Sequence, residues 1–225
     1  MSDGKDETLA ASFAALEEER ERSWPPERLA DNRAQRRALV AAFDPTRTAQ
    51  RGDRLDPYAL LDDDGGAVTL DELTRDGPAV LIFFRFAGCP ACNIALPYYD
   101  RQLRPALAAA GIALAAVSPQ VPGRVGEIGR RHGLGFPVLS DPDNGLARRL
   151  GISFLPATIP AGPPSAGWIG ELTGTGSWEL PQPTVLVIDR GRVVRSIAVS
   201  PDWLDRPEAE DILAALHEDA VRRAA

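Results

Sequence analysis

An α/β fold with helices flanking a central sheet is the fold class this sequence predicts, and two observations predict it. Short apolar runs at Ala79 to Phe84, Ile112 to Val117 and Phe136 to Leu139 alternate with stretches of helical pattern. Such alternation implies a largely parallel sheet built by helical crossovers. The first run has the length of a strand buried on both faces. It leads through Ala87-Gly88 into Cys89-Pro90-Ala91-Cys92, which holds the chain's only two cysteines.

With Cys89 as helix cap, Pro90 falls at the first helical position, where its missing N–H costs nothing. The Cys89 thiol then sits at the positive end of the helix dipole, which favours thiolate. A strand feeding a Cys-x-x-Cys helix is the working end of the thioredoxin fold. The expectation is a thioredoxin-like fold with a central mixed sheet, over residues 51–225, preceded by a helical extension over residues 1–50. Four-ligand zinc is not expected, because His132 and His217 lie far from the cysteines in sequence. Inert packing or a purely structural staple fits a redox-spaced pair less well than redox chemistry does.

Taken in order, Leu9 to Trp24 predicts a helix stopped by Pro25-Pro26, and Glu27 to Phe43 a second one. These two either pack on the core or mediate a homodimer. Residues 52–61 read as an extended segment, with a turn at Asp62 to Gly66. That acidic turn lacks the spacing and closing glutamate of a calcium loop. Val68 to Leu73 is expected to form a further edge. Helices are predicted at Arg104 to Ala110, Arg124 to His132 and Leu146 to Leu150. His132 at a helix C-terminus reads as a dipole partner. Residues 152–181 are rich in Pro, Gly, Ser and Thr and carry Trp168 and Trp178, an insertion of the kind that is usually functional. A hairpin, Leu180 to Asp189 and Val193 to Val199, and a final helix, Glu208 to Ala224, close the chain.

The 225 residues have 44% hydrophobic and 25% charged content, the composition of a soluble globular protein. The net charge of −7 argues against nucleic acid or anionic membrane as partner. Neither an apolar leader nor a membrane-length run is visible. A cytoplasmic location is therefore expected, where a lone Cys-x-x-Cys is redox-active.

The order of motifs also resembles the alkyl hydroperoxide reductase/thiol-specific antioxidant family, in its peroxiredoxin-like branch. The carriers are Gly52-Asp53 and Pro57, Phe84-Arg85, Cys89 to Asn93, Val117 to Gln120, Phe136 to Asp141, and Trp178 to Thr184 with Val187 to Asp189. Pro201-Asp202 and Arg206-Pro207-Glu208 follow them. The family pattern P-x-x-x-T-x-x-C falls here on Arg85, Cys89 and Cys92, so the resemblance makes Cys92 the peroxide-attacking thiol. Thioredoxin logic makes the more accessible Cys89 the attacker, and accessibility inclines the reading that way.

The resemblance implies a thiol peroxidase without cofactor, cycling through a Cys89–Cys92 disulfide. Its implied reductant is a thioredoxin-like or low-molecular-weight thiol. Arg85 is assigned to stabilising the thiolate or polarising the peroxide. Pro183 stands where peroxiredoxins place an arginine and where thioredoxins place a cis proline. It is therefore expected to be cis, and with Gln182 and Trp178 to border a substrate groove. Thiol–disulfide exchange and a non-enzymatic redox sensor are the alternative functions.

Overall fold

The computed structural model describes residues 7–156, 159 and 164–224. Two N-terminal helices, α1 (Leu9–Ser23) and α2 (Pro26–Ala42), precede a hairpin of β1 (Ala59–Leu61) and β2 (Ala67–Thr69), then α3 (Leu70–Leu73). The central unit follows: β3 (Ala79–Phe83), α4 (Pro90–Gln102), α5 (Arg104–Ala109), β4 (Ala113–Ser118), α6 (Glu127–His132), β5 (Val138–Ser140) and α7 (Gly145–Arg149). The chain ends with β6 (Ser153–Phe154), α8 (Ile169–Thr173), β7 (Leu180–Pro181), β8 (Thr184–Ile188), β9 (Val194–Val199) and α9 (Ala209–Ala224).

A seven-stranded sheet has the order β2-β1-β5-β4-β3-β8-β9, while β6 and β7 form a separate two-stranded ribbon. Strands β3, β4 and β5 run parallel, and β8 lies antiparallel to β3. This is the mixed sheet the apolar runs predict. Every residue of β3 is buried. Val80 and Ile82 join the apolar cluster that contains α4, whereas Ala79, Leu81 and Phe83 join the cluster on the other face. A strand covered on both sides has no need for polar alternation, which is why this run reads as unbroken apolar sequence.

Helix α1 packs on the core: Leu9 and Phe13, one turn apart, are buried in the cluster that holds both cysteines. Helix α2 buries no residue fully. The edge expected over Val68 to Leu73 is corrected, because the strand ends at Thr69 and α3 begins. Thr69 caps that helix and Glu72 returns a bond to the Thr69 N–H, a reciprocal box that satisfies two orphan donors. The acidic turn is closed by Asp62, which accepts from the N–H groups of Asp64 and Gly66. Within the insertion, residues 157–158 and 160–163 lie outside the described residues.

Gly151 has φ +70°, and a Cβ there would strike the Arg47 carbonyl oxygen. A left-handed L-residue alone costs about 1–2 kcal/mol. Gly151→Ala is therefore expected to lower Tm by about 5 °C or more in calorimetry, and an unchanged Tm would contradict the tight turn.

Candidate active site

The strand–helix junction places both cysteines. Cys89 caps α4 with extended backbone, and Pro90 follows at the first helical position. The Cys89 carbonyl accepts from the Cys92 and Asn93 N–H groups at 3.0 and 3.1 Å. The loop between β3 and α4 is tied from outside. Its Ala87 N–H donates to buried Gln120 Oε1 at 2.7 Å, and its Ala87 carbonyl accepts from Asn93 Nδ2 and Arg131 Nη1, both at 2.7 Å. His132, in the last turn of α6, also contacts Asn93 Oδ1 at 2.8 Å.

Cys89 is only 3% exposed and Cys92 is 0% exposed. The expectation of an accessible Cys89 is thus corrected: α1, Phe86 and Trp203 join the two cysteines in one apolar cluster. Both cysteines are free thiols in this structure, and their side chains share a hydrogen bond.

The electrostatics separate the pair. Burial opposes a Cys92 thiolate, but the Cys89 hydrogen bond, the Arg206 charge and the Arg85 backbone N–H outweigh it, and the Cys92 pKa falls well below the ordinary range. Cys89 moves the other way, raised by its bond to Cys92 and by burial. Arg206 Nη2 lies 3.4 Å from Cys92 Sγ. Burial is the largest single influence on Arg206 and opposes its charge, but the two nearby sulfurs, the Cys92 hydrogen bond and Tyr99 together more than offset it.

Arg206 comes from the loop after β9, 114 positions beyond Cys92. Its Nε donates to the Trp203 carbonyl at 3.0 Å. Arg85 contributes its backbone N–H to Cys92, while its guanidinium lies 4.4 Å from the Trp203 ring centroid. The sequence reading placed Arg85 at the site and left Arg206 as one residue of a resemblance motif.

Gln182 and Pro183, expected to border one groove, line different cavities. All peptide bonds among the described residues are trans, Pro183 included, so the expectation of a cis Pro183 is corrected. The physical reason is the extended passage between two strand systems. Gln182 N donates to the Ile152 carbonyl and the Pro183 carbonyl accepts from Ser200 N, each at 2.8 Å. Nothing in that straight run offsets the intrinsic trans preference of about 0.5–1 kcal/mol. Pro183 shares a small crevice with Tyr99 and Arg206. Gln182 instead lines a cleft of about 1300 Å³ between α2 and β6, which neither cysteine borders. Trp178 packs on Trp168 at 5.0 Å between ring centroids.

Among the described residues, no group of three or more His, Cys, Asp or Glu side chains could hold a metal ion. What the arrangement can do is nucleophilic sulfur chemistry: a thiolate at Cys92, a neutral thiol in contact with it, and an arginine to hold developing negative charge.

A pH profile reads this asymmetry. A free thiol near pKa 8.5 loses reactivity about tenfold per unit as pH falls below that value. The iodoacetamide rate at Cys92 is expected to hold as pH falls below about 8.5 and to drop only once pH passes its depressed pKa. The sign for stability agrees. The Cys92 thiolate contributes fully above the unfolded pKa of about 8.5 and is lost as pH falls through the folded value. A rate that drops steadily from pH 9 would contradict the pairing.

Comparison with known proteins places this geometry. The AhpC/TSA family model matches residues 52–197. The solved structure of reduced Prx3 from Vibrio vulnificus in complex with hydrogen peroxide is similar at 25% identity and a TM-score of 0.60, covering 75% of this chain and 99% of that one. Peroxidoxin BcpB from Mycobacterium tuberculosis aligns at 22% identity and TM-score 0.57 over 75% of this chain and 97% of its own. A peroxiredoxin-like protein from Aquifex aeolicus aligns at 17% and 0.57, covering 76% and 88%. A search of curated proteins returned no match.

Proposed function

The chain belongs to the AhpC/TSA family, and from that premise we propose that it is a thiol peroxidase in which Cys92 attacks the peroxide and Cys89 resolves. The observation that carries the reading is the Cys92 sulfur, held between the Cys89 thiol and Arg206 Nη2 at 3.4 Å. The thiolate attacks one oxygen of the peroxide; an S–O bond forms as the O–O bond breaks, giving Cys92 sulfenic acid. The other oxygen leaves and takes up a proton, as water from hydrogen peroxide or as an alcohol from an organic hydroperoxide. Cys89 then condenses with the sulfenic acid, forming the disulfide and releasing water. An external dithiol, of thioredoxin type or of low molecular weight, returns both sulfurs to the thiol state by exchange.

Cys89 stands at the threonine position of the family pattern, so one side chain serves as hydrogen-bond partner before attack and as resolving thiol after it. A cytoplasmic setting fits this cycle, since cytosolic reductants keep the resting pair reduced. Among the described residues, no helix is long and apolar enough to cross a membrane. A homodimer through the exposed faces of α2 fits its lack of buried residues. The trans bond at Pro183 and the burial of Cys89 remove the support that disulfide exchange with a docked protein drew from the sequence.

The test mixes fully reduced protein with one equivalent of hydrogen peroxide under anaerobic conditions. Both thiols should disappear, with a mass loss of two hydrogens and water as the other product. Added thioredoxin, thioredoxin reductase and NADPH should then sustain turnover. Protein that ignores peroxide yet is oxidised rapidly by a disulfide would sink the peroxidase reading, and a single round without turnover would make the pair a sensor.

A further inference from the structure

The residues that complete the site come from two stretches outside the matched span of 52–197. One is the Asp202 to Glu208 loop, which supplies Arg206. The other is α1, whose Phe13 is 3% exposed with its ring centroid 5.7 Å from the Arg206 guanidinium carbon.

Two ties bind these stretches together. Glu208 accepts from the N–H groups of Leu9 and Ala10, both at 2.9 Å, and from the Tyr98 hydroxyl of α4 at 2.5 Å. A carboxylate at a helix N-terminus meets both the free donors and the dipole. At the other end, Arg36 of α2 donates to Asp202 at 2.7 and 2.9 Å and to Glu17 of α1 at 2.7 Å. Helix, latch and arginine loop are therefore tied into one unit, which shares an apolar cluster with two thiols that are 3% and 0% exposed.

We propose that α1 is part of the reaction site, with Phe13 as a specificity-determining residue: held over Arg206 by the Glu208 latch, it closes the roof of the dithiol and restricts it to oxidants the size of hydrogen peroxide. Gly88 and Pro90, on either side of Cys89, are exposed, and this is the side from which a small peroxide would enter. An aryl hydroperoxide needs the roof displaced, and that displacement loosens Arg206 at the moment the thiolate requires it. This inference rests on the peroxidase reading for its substrate but not for its geometry.

The experiment compares oxidation of the full reduced chain by hydrogen peroxide and by cumene hydroperoxide. In parallel it compares labelling by iodoacetamide and by fluorescein maleimide. Wild-type protein should favour hydrogen peroxide by about tenfold or more, a ratio within the range steric pockets deliver. Phe13→Ala should reduce that preference at least about fivefold and speed maleimide labelling similarly, whereas Phe13→Leu, which keeps bulk over Arg206, should stay near wild type. If Phe13→Ala does not fold, Glu208→Gln carries the same comparison, since it weakens the latch without opening the core. Equal reactivity of the wild type with both peroxides would overturn the proposal. So would an unchanged ratio in the variant that folds. If neither peroxide reacts at all, the peroxidase reading fails instead, and the maleimide-to-iodoacetamide ratio alone decides whether α1 is a roof.

Discussion

Replacing Cys92 with serine is expected to abolish reaction with peroxide, a loss on the order of 10⁴-fold or more, as when a catalytic nucleophile is removed. A serine hydroxyl beside Arg206 stays protonated at neutral pH and cannot displace oxygen from an O–O bond. Cys89→Ser should behave differently. Its hydroxyl can still donate to the Cys92 thiolate, as the threonine of the family pattern would, so the first reaction should keep its rate to within about tenfold. With no resolving thiol the product should remain as Cys92 sulfenic acid, trapped by dimedone, and excess peroxide should drive it to sulfinic acid. The reverse pattern, an inert Cys89→Ser and a Cys92→Ser that reacts once, would restore the thioredoxin assignment. Stopped-flow single turnovers followed by mass spectrometry distinguish the two.

That assignment differs from the one accessibility favoured, and the difference shows where local sequence stops being informative. The β3–α4 junction was legible because its determinants are local: an apolar run that fills both faces of a sheet, and a proline one residue inside the helix. The same rules correctly put Cys89 at the cap, but a cap is accessible only when nothing packs over it. Phe13, which joins it in one apolar cluster, lies in α1, 76 positions earlier in the chain (89 − 13). No periodicity within α4 could report that α1 packs against it.

The arginine was misplaced for a related reason. The motif frame looked for it beside Pro183 on the late strand, and the fold brings Arg206 from another loop into the crevice that Pro183 helps to line. In sequence Arg206 has Asp205 and Glu208 close by as ordinary ion-pair partners, but Glu208 is occupied by α1 and Tyr98. Only the folded contacts show that the guanidinium is left for sulfur. The misread edge at Val68 to Leu73 is different, since Thr69-Leu70-Asp71-Glu72 spells the capping-box pattern and was readable without any structure.

Arg206→Met should separate catalysis from stability. The guanidinium is buried, its Nη1 has no hydrogen-bond partner, and its Nη2 is committed to Cys92. Exchanging a buried ion pair for an apolar side chain of similar volume is often neutral or stabilising, by about 1–4 kcal/mol. Here the partner charge can also be discharged, because Cys92 needs only to take up a proton once Arg206 is gone. The variant should therefore fold with a Tm equal to or above wild type. Its thiol should return to the ordinary range or above it, where at most about 3% is thiolate at pH 7. That fraction alone removes about thirtyfold in rate. Loss of the charge that steadies the departing oxygen removes about another tenfold or more. The expected result is a fall of at least about 300-fold at pH 7, recovering about tenfold per unit as pH rises toward 9. Arg206→Lys, a point charge on a shorter reach, should fall between the two. Peroxide rates within threefold of wild type in the methionine variant, with the level pH profile intact, would show that the helix and the Cys89 thiol hold the thiolate without the arginine.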